Sequence, residues 1–203
     1  GLIDIVAAWT SIERAARGDA PAAHTYTVKA PVDTAIDQFL KTPGFGPGLY
    51  DREGGLQAGQ EKTYNVTITR TSGPAVPVRH TLRLANNEGR TFRLASADRI
   101  ALPLNVPVTV RVEAQPRTQG VHSGILVVDD PGTSGVDQQI LATVIAAKPL
   151  ADPAFTATES GSVQRNSTRS YFLTVPEGAK TLEVALGGLE EGSQTRFIAI
   201  HPY

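Results

Sequence analysis

Between residues 20 and 147, apolar and polar side chains alternate with a period of two residues. Tyr64, Val66 and Ile68, for example, alternate with threonine and asparagine. Because successive side chains of a strand point to opposite faces, this alternation predicts strands with one buried face. About seven such runs, separated by turn-forming segments, predict an all-β, antiparallel β-sandwich rather than a parallel doubly wound sheet. The runs fall at 26–28, 64–68, 78–84, 92–94, 106–112, 124–128 and 139–147.

The segments around these runs follow other patterns. Apolar residues recur at three- and four-residue spacing over 2–16, which predicts an amphipathic helix that ends at Gly18, with Glu13 and Arg17 one turn apart. Proline and glycine crowd 42–48 and predict a loop, and 34–40 is expected to form a short helix or strand. Residues 148–153 have the composition of a linker. Alternation at 171–175 and 182–186 then predicts the start of a second β-module.

Residue composition excludes several classes of protein. Apolar residues make up 40% of the 203 residues and charged residues 19%, which suits a packed core and not a disordered chain. The formal net charge is −1 and the basic residues are dispersed, so no nucleic-acid partner is expected. No apolar run approaches the roughly 20 residues of a membrane helix, so no membrane partner is expected. Cysteine is absent, which excludes disulfides and thiolate metal sites. Methionine is absent too, so we expect Gly1 to be a processed end or a cloning boundary.

Four segments resemble parts of the subtilisin-like serine peptidases, or subtilases. Residues 1–9 (Gly-Leu-Ile-Asp-Ile-Val-Ala-Ala-Trp) resemble the helix that closes many subtilase catalytic domains. Residues 48–53 (Gly-Leu-Tyr-Asp-Arg-Glu) are similar to a segment downstream of the catalytic domain in tripeptidyl-peptidase II and related bacterial subtilases. Residues 120–127 resemble a strand of the fibronectin type III-like domain that follows subtilase catalytic domains. Residues 170–178 are similar to a hairpin of accessory jelly-roll or pre-peptidase C-terminal domains.

The resemblance implies a chain in three parts. Residues 1–18 would be the closing helix of an upstream catalytic domain, 19–148 a fibronectin III-like β-sandwich, and 149–203 the start of a second jelly-roll or pre-peptidase C-terminal-like module. The full-length parent would be a secreted or cell-surface serine endopeptidase whose catalytic Asp, His and Ser all lie upstream. The chain itself would then be non-catalytic and need no cofactor. It would brace the catalytic domain of the same polypeptide, shape access to the cleft, or mediate self-association.

A free-standing adhesion or carbohydrate-binding β-sandwich is the alternative interpretation. Such a module needs an exposed aromatic platform on which sugars stack. Aromatic residues are only 6% of the chain, and its single tryptophan lies in the predicted helix stripe. The composition therefore offers little for this function.

Two segments imitate catalytic or metal-binding motifs. Gly132-Thr133-Ser134 matches the start of the subtilase nucleophile motif, but a strand follows where the enzyme needs a helix, so Ser134 is predicted to lie in a hairpin loop. The carboxylates of Asp129, Asp130 and Asp137 are the candidates for a calcium site, although their spacing is not that of an EF-hand and Asp-Pro-Gly is ordinary turn chemistry. The histidines lack zinc-ligand spacing. We expect His80 to be a hydrogen-bonded core residue and His122 to be structural or exposed.

The remaining candidates are interdomain contact residues, namely Trp9, Tyr50, Arg52 and Glu53. Arg52 could pair with an adjacent acid or with a carboxylate of a neighbouring domain, where it would act as a clamp. A solvated charged turn is the other interpretation, and the sequence does not separate the two.

Overall fold

The computed structural model describes residues 5–18, 24–42, 44, 46–53, 55–133 and 135–200. Helix α1 (Ile5–Ala16) opens the described part of the chain, and 3₁₀ turns lie at Ala35–Phe39 and Glu88–Arg90. The strands are β1 (Tyr26–Lys29), β2 (Leu49–Asp51), β3 (Lys62–Arg70), β4 (Val78–Ala85), β5 (Phe92–Leu94), β6 (Arg99–Leu102), β7 (Val108–Ala114), β8 (Gly120–Asp129), β9 (Gln138–Ala146), β10 (Lys148–Pro149) and β11 (Leu173–Thr174).

Nine of these strands form two sheets. The four-stranded sheet has the order β1-β3-β7-β5, and all its neighbours are antiparallel. The five-stranded sheet has the order β2-β9-β8-β4-β6. Its pairs are antiparallel except at one edge, where β2 runs parallel to β9. The prediction of an antiparallel β-sandwich is confirmed, with this one parallel edge as an addition.

The core lies between the inner faces of the two sheets, as the alternation predicts. Apolar side chains from both sheets meet there and are almost completely removed from solvent. Burial of this kind contributes about 25 cal/mol per Å² of apolar surface and is the main force that holds the sheets together. The fully buried members include Val66, Ile68, Val110 and Val112 of the four-stranded sheet and Leu102, Leu126, Val128, Ile140 and Val144 of the five-stranded sheet.

The strand predictions differ from the structure at β7, β2 and β6. The run predicted at 106–112 begins at Val108 instead, because Val106 is exposed and Pro107 has no N–H to give to the ladder. Strands β2 and β6 were not predicted, since three- and four-residue edge strands show too little alternation to detect. The short element predicted at 34–40 is the 3₁₀ turn at Ala35–Phe39.

The predicted N-terminal helix is present over the part that the structure describes, and residues 2–4 lie outside it. Arg17 pairs with Glu13 at 3.6 Å, as the one-turn spacing predicts, and Gly18 ends the helix with a left-handed φ of 72°. The stripe of Ile5, Val6, Trp9 and Ile12 is exposed, with 61% of the Trp9 surface accessible. No helix in the described residues has the length and apolar character needed to cross a bilayer.

The segment predicted as a linker begins with a strand. Strand β10 pairs in parallel with β11, and the N–H groups of Lys148 and Leu150 donate to Phe172 and Thr174 at 2.9 and 3.0 Å. Residues 175–200 lie outside helices and strands, and most of their side chains are exposed. The second β-module over 149–203 therefore stays a prediction.

Candidate interaction surface

Strand β2 positions the predicted contact residues. Gly48 comes so close to β9 that a Cβ on it would lie 2.9 Å from the carbonyl oxygen of Leu141, so only glycine permits this approach. Leu49 is buried in the core, and alternation then turns Tyr50 outward, where 52% of its surface is exposed. The sequence thus places Tyr50 on the outer face of the five-stranded sheet.

Asp51 points inward and anchors this edge. Its Oδ2 accepts hydrogen bonds from Lys62 Nζ and Tyr64 Oη, each at 2.7 Å, and the residue is 1% exposed. Burial, together with the Asp51 carboxylate, raises the pKa of the Tyr64 hydroxyl. The phenol is therefore a permanent donor to Asp51, and this bond ties β2 to β3 of the opposite sheet.

Arg52 and Glu53 form a local ion pair. Arg52 Nη2 lies 2.7 Å from Glu53 Oε1, while Glu53 Oε2 accepts the backbone N–H of Ala35 at 2.7 Å. That N–H and the Arg52 guanidinium lower the pKa of the Glu53 carboxyl. The pair fastens the 3₁₀ turn to the end of β2. The sequence left open a pairing of Arg52 with an adjacent acid, and the pair with Glu53 is present in this chain. An interdomain clamp stays a prediction.

A groove of about 260 Å³ opens beside this pair. Val32, Ile36 and Leu40 supply its apolar wall, and Tyr50 and Arg52 lie at its edge. Gly44, Gly46 and Gly48, from the segment predicted as a loop, also line the groove. The carbonyl of Gly46 accepts the N–H of Ala30 at 2.8 Å. This volume suits one or two protein side chains, which favours a docking role over small-molecule chemistry.

The candidate calcium residues serve a turn. Asp137 Oδ2 accepts the N–H of Asp130 at 2.7 Å and the hydroxyl of Thr133 at 2.9 Å, and Asp130 Oδ1 accepts the N–H of Gly132 at 2.8 Å. The third candidate, Asp129, lies at the end of β8. Within the part of the chain that the structure describes, no group of three or more His, Asp or Glu residues could hold a metal ion. Ser134 lies outside the described residues.

His80 is a buried, hydrogen-bonded histidine, as predicted. The carbonyl of Val78, 3.0 Å away, accepts from Nδ1, so Nε2 carries no proton and accepts from the Tyr26 hydroxyl at 2.8 Å. Burial lowers the pKa of His80. His122 bonds the hydroxyl of Thr91 and a backbone carbonyl. These contacts are structural and leave neither histidine free to act as a catalytic base.

Arg70 is, besides Asp51, a second buried charge that the sequence did not predict. Its side chain is fully buried and donates to the backbone carbonyls of Leu102, Ser72, Pro74 and Val76 at 2.6–3.0 Å. The signal was available, because Arg70 continues the inward series that runs through Val66 and Ile68 on β3. Carbonyl oxygens, not a carboxylate, satisfy this cation, and they fix the loop that joins the two sheets.

The solved structures that resemble this chain include three distant likenesses, and no curated protein matches the chain. Tripeptidyl peptidase II is similar at 16% identity and a TM-score of 0.48, over 64% of this chain and 10% of that chain. A family 123 glycoside hydrolase from Clostridium perfringens is similar at 10% identity and a TM-score of 0.41, over 62% and 27% of the two chains. A FixG-related protein from Vibrio parahaemolyticus gives 8% and 0.38, over 62% and 98%. This chain thus spans about a tenth of the tripeptidyl peptidase II chain, and likenesses this distant say nothing about its function.

A match to a protein-family model is more informative about this chain than the solved structures are. The model that describes Ig-like domains in actinomycete serine proteases matches residues 27–146, well over half of the chain. The match takes in both sheets of the sandwich. The fibronectin III-like subtype stays a prediction, since the family is described as Ig-like. This chain belongs to the family of Ig-like domains in actinomycete serine proteases.

Proposed function

We propose that this chain is a non-catalytic accessory region of a secreted, subtilisin-like serine protease and that it braces the catalytic domain of the same polypeptide. The observation that carries the proposal is the family match over both sheets. The subtilase class and the secreted location are supported by the resemblance of 1–9 and 48–53 to segments at the end of, and downstream of, subtilase catalytic domains.

The chemistry of the described residues favours bracing over catalysis. Side chains that could transfer protons, such as His80, His122 and Asp137, are held in hydrogen bonds that stabilise the fold. A catalytic triad needs a nucleophile and a base within hydrogen-bond reach and open to substrate. The contribution to proteolysis is therefore made through surfaces.

Helix α1 provides one such surface. Its stripe of apolar side chains is exposed to water. Burial of each large apolar side chain would be favourable by about 1.5–3 kcal/mol. A single amphipathic helix gains most of its stability from packing against a partner. The catalytic domain is the partner we assign to this stripe, with Trp9 at its centre.

Deletion of residues 24–203 from the full protease tests bracing. We expect the melting temperature of the catalytic domain to fall by several degrees, while kcat for a short peptide substrate stays near that of the intact enzyme, because no catalytic residue is removed. Changed preference among protein substrates would instead support a role in cleft access, and a fall in the number of subunits per particle would support self-association. An unchanged melting temperature, substrate preference and number of subunits would refute an accessory role.

Trp9 allows a direct test of the helix contact. It is the only tryptophan of the chain, so labelling with 5-fluorotryptophan gives a single ¹⁹F resonance. Titration with the catalytic domain is expected to shift and broaden that resonance as the indole leaves water. The Ile12→Lys variant carries the same label and interrupts the same stripe, so its resonance should not move. A resonance that stays in place for both proteins would exclude α1 as the contact.

A further inference from the structure

The two outer faces of the sandwich differ in chemistry. On the four-stranded sheet, hydroxyl, amide and charged side chains lie opposite each other across the strands. Arg93 is neutralised there by Glu61 at 2.9 Å and Glu113 at 2.6 Å. This face has the composition of a surface that meets water. Its residues are Thr27, Lys29, Thr63, Asn65, Thr67, Thr69, Arg93, Thr109, Arg111 and Glu113.

The outer face of the five-stranded sheet carries apolar side chains on both sides of a central row of hydroxyl groups. Register places Leu141 opposite Ile125, Ile145 opposite Val121, and Tyr50 in the row of Thr143 and Ser123. Leu141, Val121 and Tyr50 are each more than half exposed, at 58%, 54% and 52%. Ile145 is only 5% exposed, and Tyr50 lies diagonal to it and to Leu141, so these apolar side chains adjoin one another beside the hydroxyl row. A group of exposed apolar side chains on a folded domain is typical of a contact surface. We call this set of residues, together with Arg79, Arg83 and Arg99, the outer apolar face.

Three arginines lie at one end of the outer apolar face. Arg83 pairs with Val127, while Arg79 and Arg99 occupy diagonal positions on β4 and β6. Like charges at such positions repel, and none of the three forms an ion pair with a described residue. Arg79 and Arg99 also line an open recess of about 450 Å³. At the strand positions of this end, Asp129 supplies one carboxylate against the three arginines, so these positions carry a net positive charge.

The residue types match those of a protein interface. Arginine and tyrosine are enriched at interface centres and lysine is depleted, and the outer apolar face carries three arginines, a tyrosine and no lysine at its strand positions. A partner that covers it must be apolar at its centre and carry carboxylates where it meets the arginines. A second copy of this chain lacks that pattern, because the outer apolar face offers only Asp129 to meet the arginines of its twin.

We propose that the outer apolar face docks on the catalytic domain of the same protease, against an apolar patch with carboxylates facing Arg79, Arg83 and Arg99. This inference rests on the proposed accessory function and adds to it the face that is used and the chemistry that the catalytic domain presents. The four-stranded sheet then faces solvent. Helix α1 is a separate contact, since its stripe belongs to the segment before the sandwich.

Hydroxyl-radical footprinting of the full-length protease and of the isolated 203-residue chain tests the inference. Val121 and Val106 form a matched pair, with 54% and 48% exposure, and only Val121 lies on the outer apolar face. In the full-length protease we expect oxidation of Val121, Tyr50 and Leu141 to fall about fivefold relative to the isolated chain, because docked side chains become an interface core. Oxidation of Val106 should not change. Equal rates for Val121 in both proteins would overturn the inference.

Two variants of the full-length protease separate this inference from the proposed function. Leu141→Lys on the outer apolar face should restore oxidation of Val121, whereas Thr109→Lys on the opposite sheet should not. If Val121 is unprotected but deletion of residues 24–203 still destabilises the catalytic domain, bracing holds and the docking face is wrong. If Val121 is protected but the deletion has no effect, docking holds and bracing is wrong. Protection that appears in the isolated chain as its concentration rises would identify a second copy as the partner and refute our assignment.

Discussion

Substitution of Arg70 by methionine is expected to destabilise the sandwich more than any surface change in the chain. The guanidinium donates four hydrogen bonds to backbone carbonyls, one on β6 and three in the loop after β3. Methionine keeps most of the buried stem but none of the donors. The carbonyl of Leu102 would then be unsatisfied beside a fully buried residue, whereas those of Pro74 and Val76 lie in exposed residues and can bind water.

The magnitude follows from these contacts. One buried carbonyl without a partner costs about 1–3 kcal/mol. Loss of the charge-assisted bonds that order the loop adds about 1.5–3 kcal/mol for those not replaced by water. Removal of a desolvated charge offsets part of this, because the ion itself costs several kcal/mol to bury. The two losses sum to about 2.5–6 kcal/mol, and the offset reduces the expected loss to about 2–3 kcal/mol, or about 4–12 °C in melting temperature for a chain of this size.

Thermal and urea denaturation of the 203-residue chain measure this loss. Arg70→Lys should lie between methionine and the native residue, since one ammonium has three donors and cannot reach four carbonyls. Arg83→Met is the matched control, because Arg83 is exposed and its loss should change stability by less than about 0.5 kcal/mol. If Arg70→Met and Arg83→Met unfold at the same urea concentration, the carbonyl network does not stabilise the fold as argued.

The remaining predictions concern one titration and two contacts. Burial holds the pKa of His80 below the unfolded value of 6.5, so the unfolded chain takes up the extra proton first and stability falls as the pH drops below about 6.5. Thermal melts from pH 8 to 5 should therefore show a fall in melting temperature that is absent in His80→Gln. An equal fall in both proteins would contradict this. In Gly124→Ala, the new Cβ would lie 3.0 Å from the Phe92 ring in the core, which should cost about 1–3 kcal/mol in urea denaturation, and a neutral result would show that the ring has room to move. Asp51→Ala should lower the free energy of unfolding by about 3 kcal/mol, because it leaves the buried Tyr64 hydroxyl without its acceptor. Tyr64→Phe should lower it by only about 1 kcal/mol. The reverse order would refute the role assigned to this bond.

The sandwich could be predicted from sequence because strands with one wet face record that face in their residues. On β3, inward Val66 and Ile68 alternate with Asn65 and Thr67. This pattern predicts both the strand and the face that it turns toward the core. Strand β2 could not be found in the same way. Its three residues include the buried Asp51, whose partners Lys62 and Tyr64 lie more than ten residues ahead. A buried carboxylate is explained only by contacts between distant segments, which no local pattern contains.

Pairing partners were the least predictable part of the candidate surface. The sequence favoured Tyr50, Arg52 and Glu53 as contact residues, and the structure places Tyr50 on an outer face and Arg52 against Glu53. What the sequence could not show is that Ala35 donates to Glu53, because the 3₁₀ turn that carries it is eighteen residues away. Through that hydrogen bond, the ion pair holds the 3₁₀ turn against the end of β2.

Strands β8 and β9 differ in sequence pattern from the strands of the four-stranded sheet. Strand β3 alternates because one side meets water, whereas 125–128 and 144–147 are continuous apolar runs. Continuous runs are typical of strands covered on both faces, and their outward members Val127 and Ile145 are 2% and 5% exposed within this chain. Leu141, on the same face of β9 but outside the runs, is 58% exposed. The continuous runs therefore mark the part of the outer sheet face that this chain covers itself, and the proposed docking face consists of the exposed side chains beside that covered part.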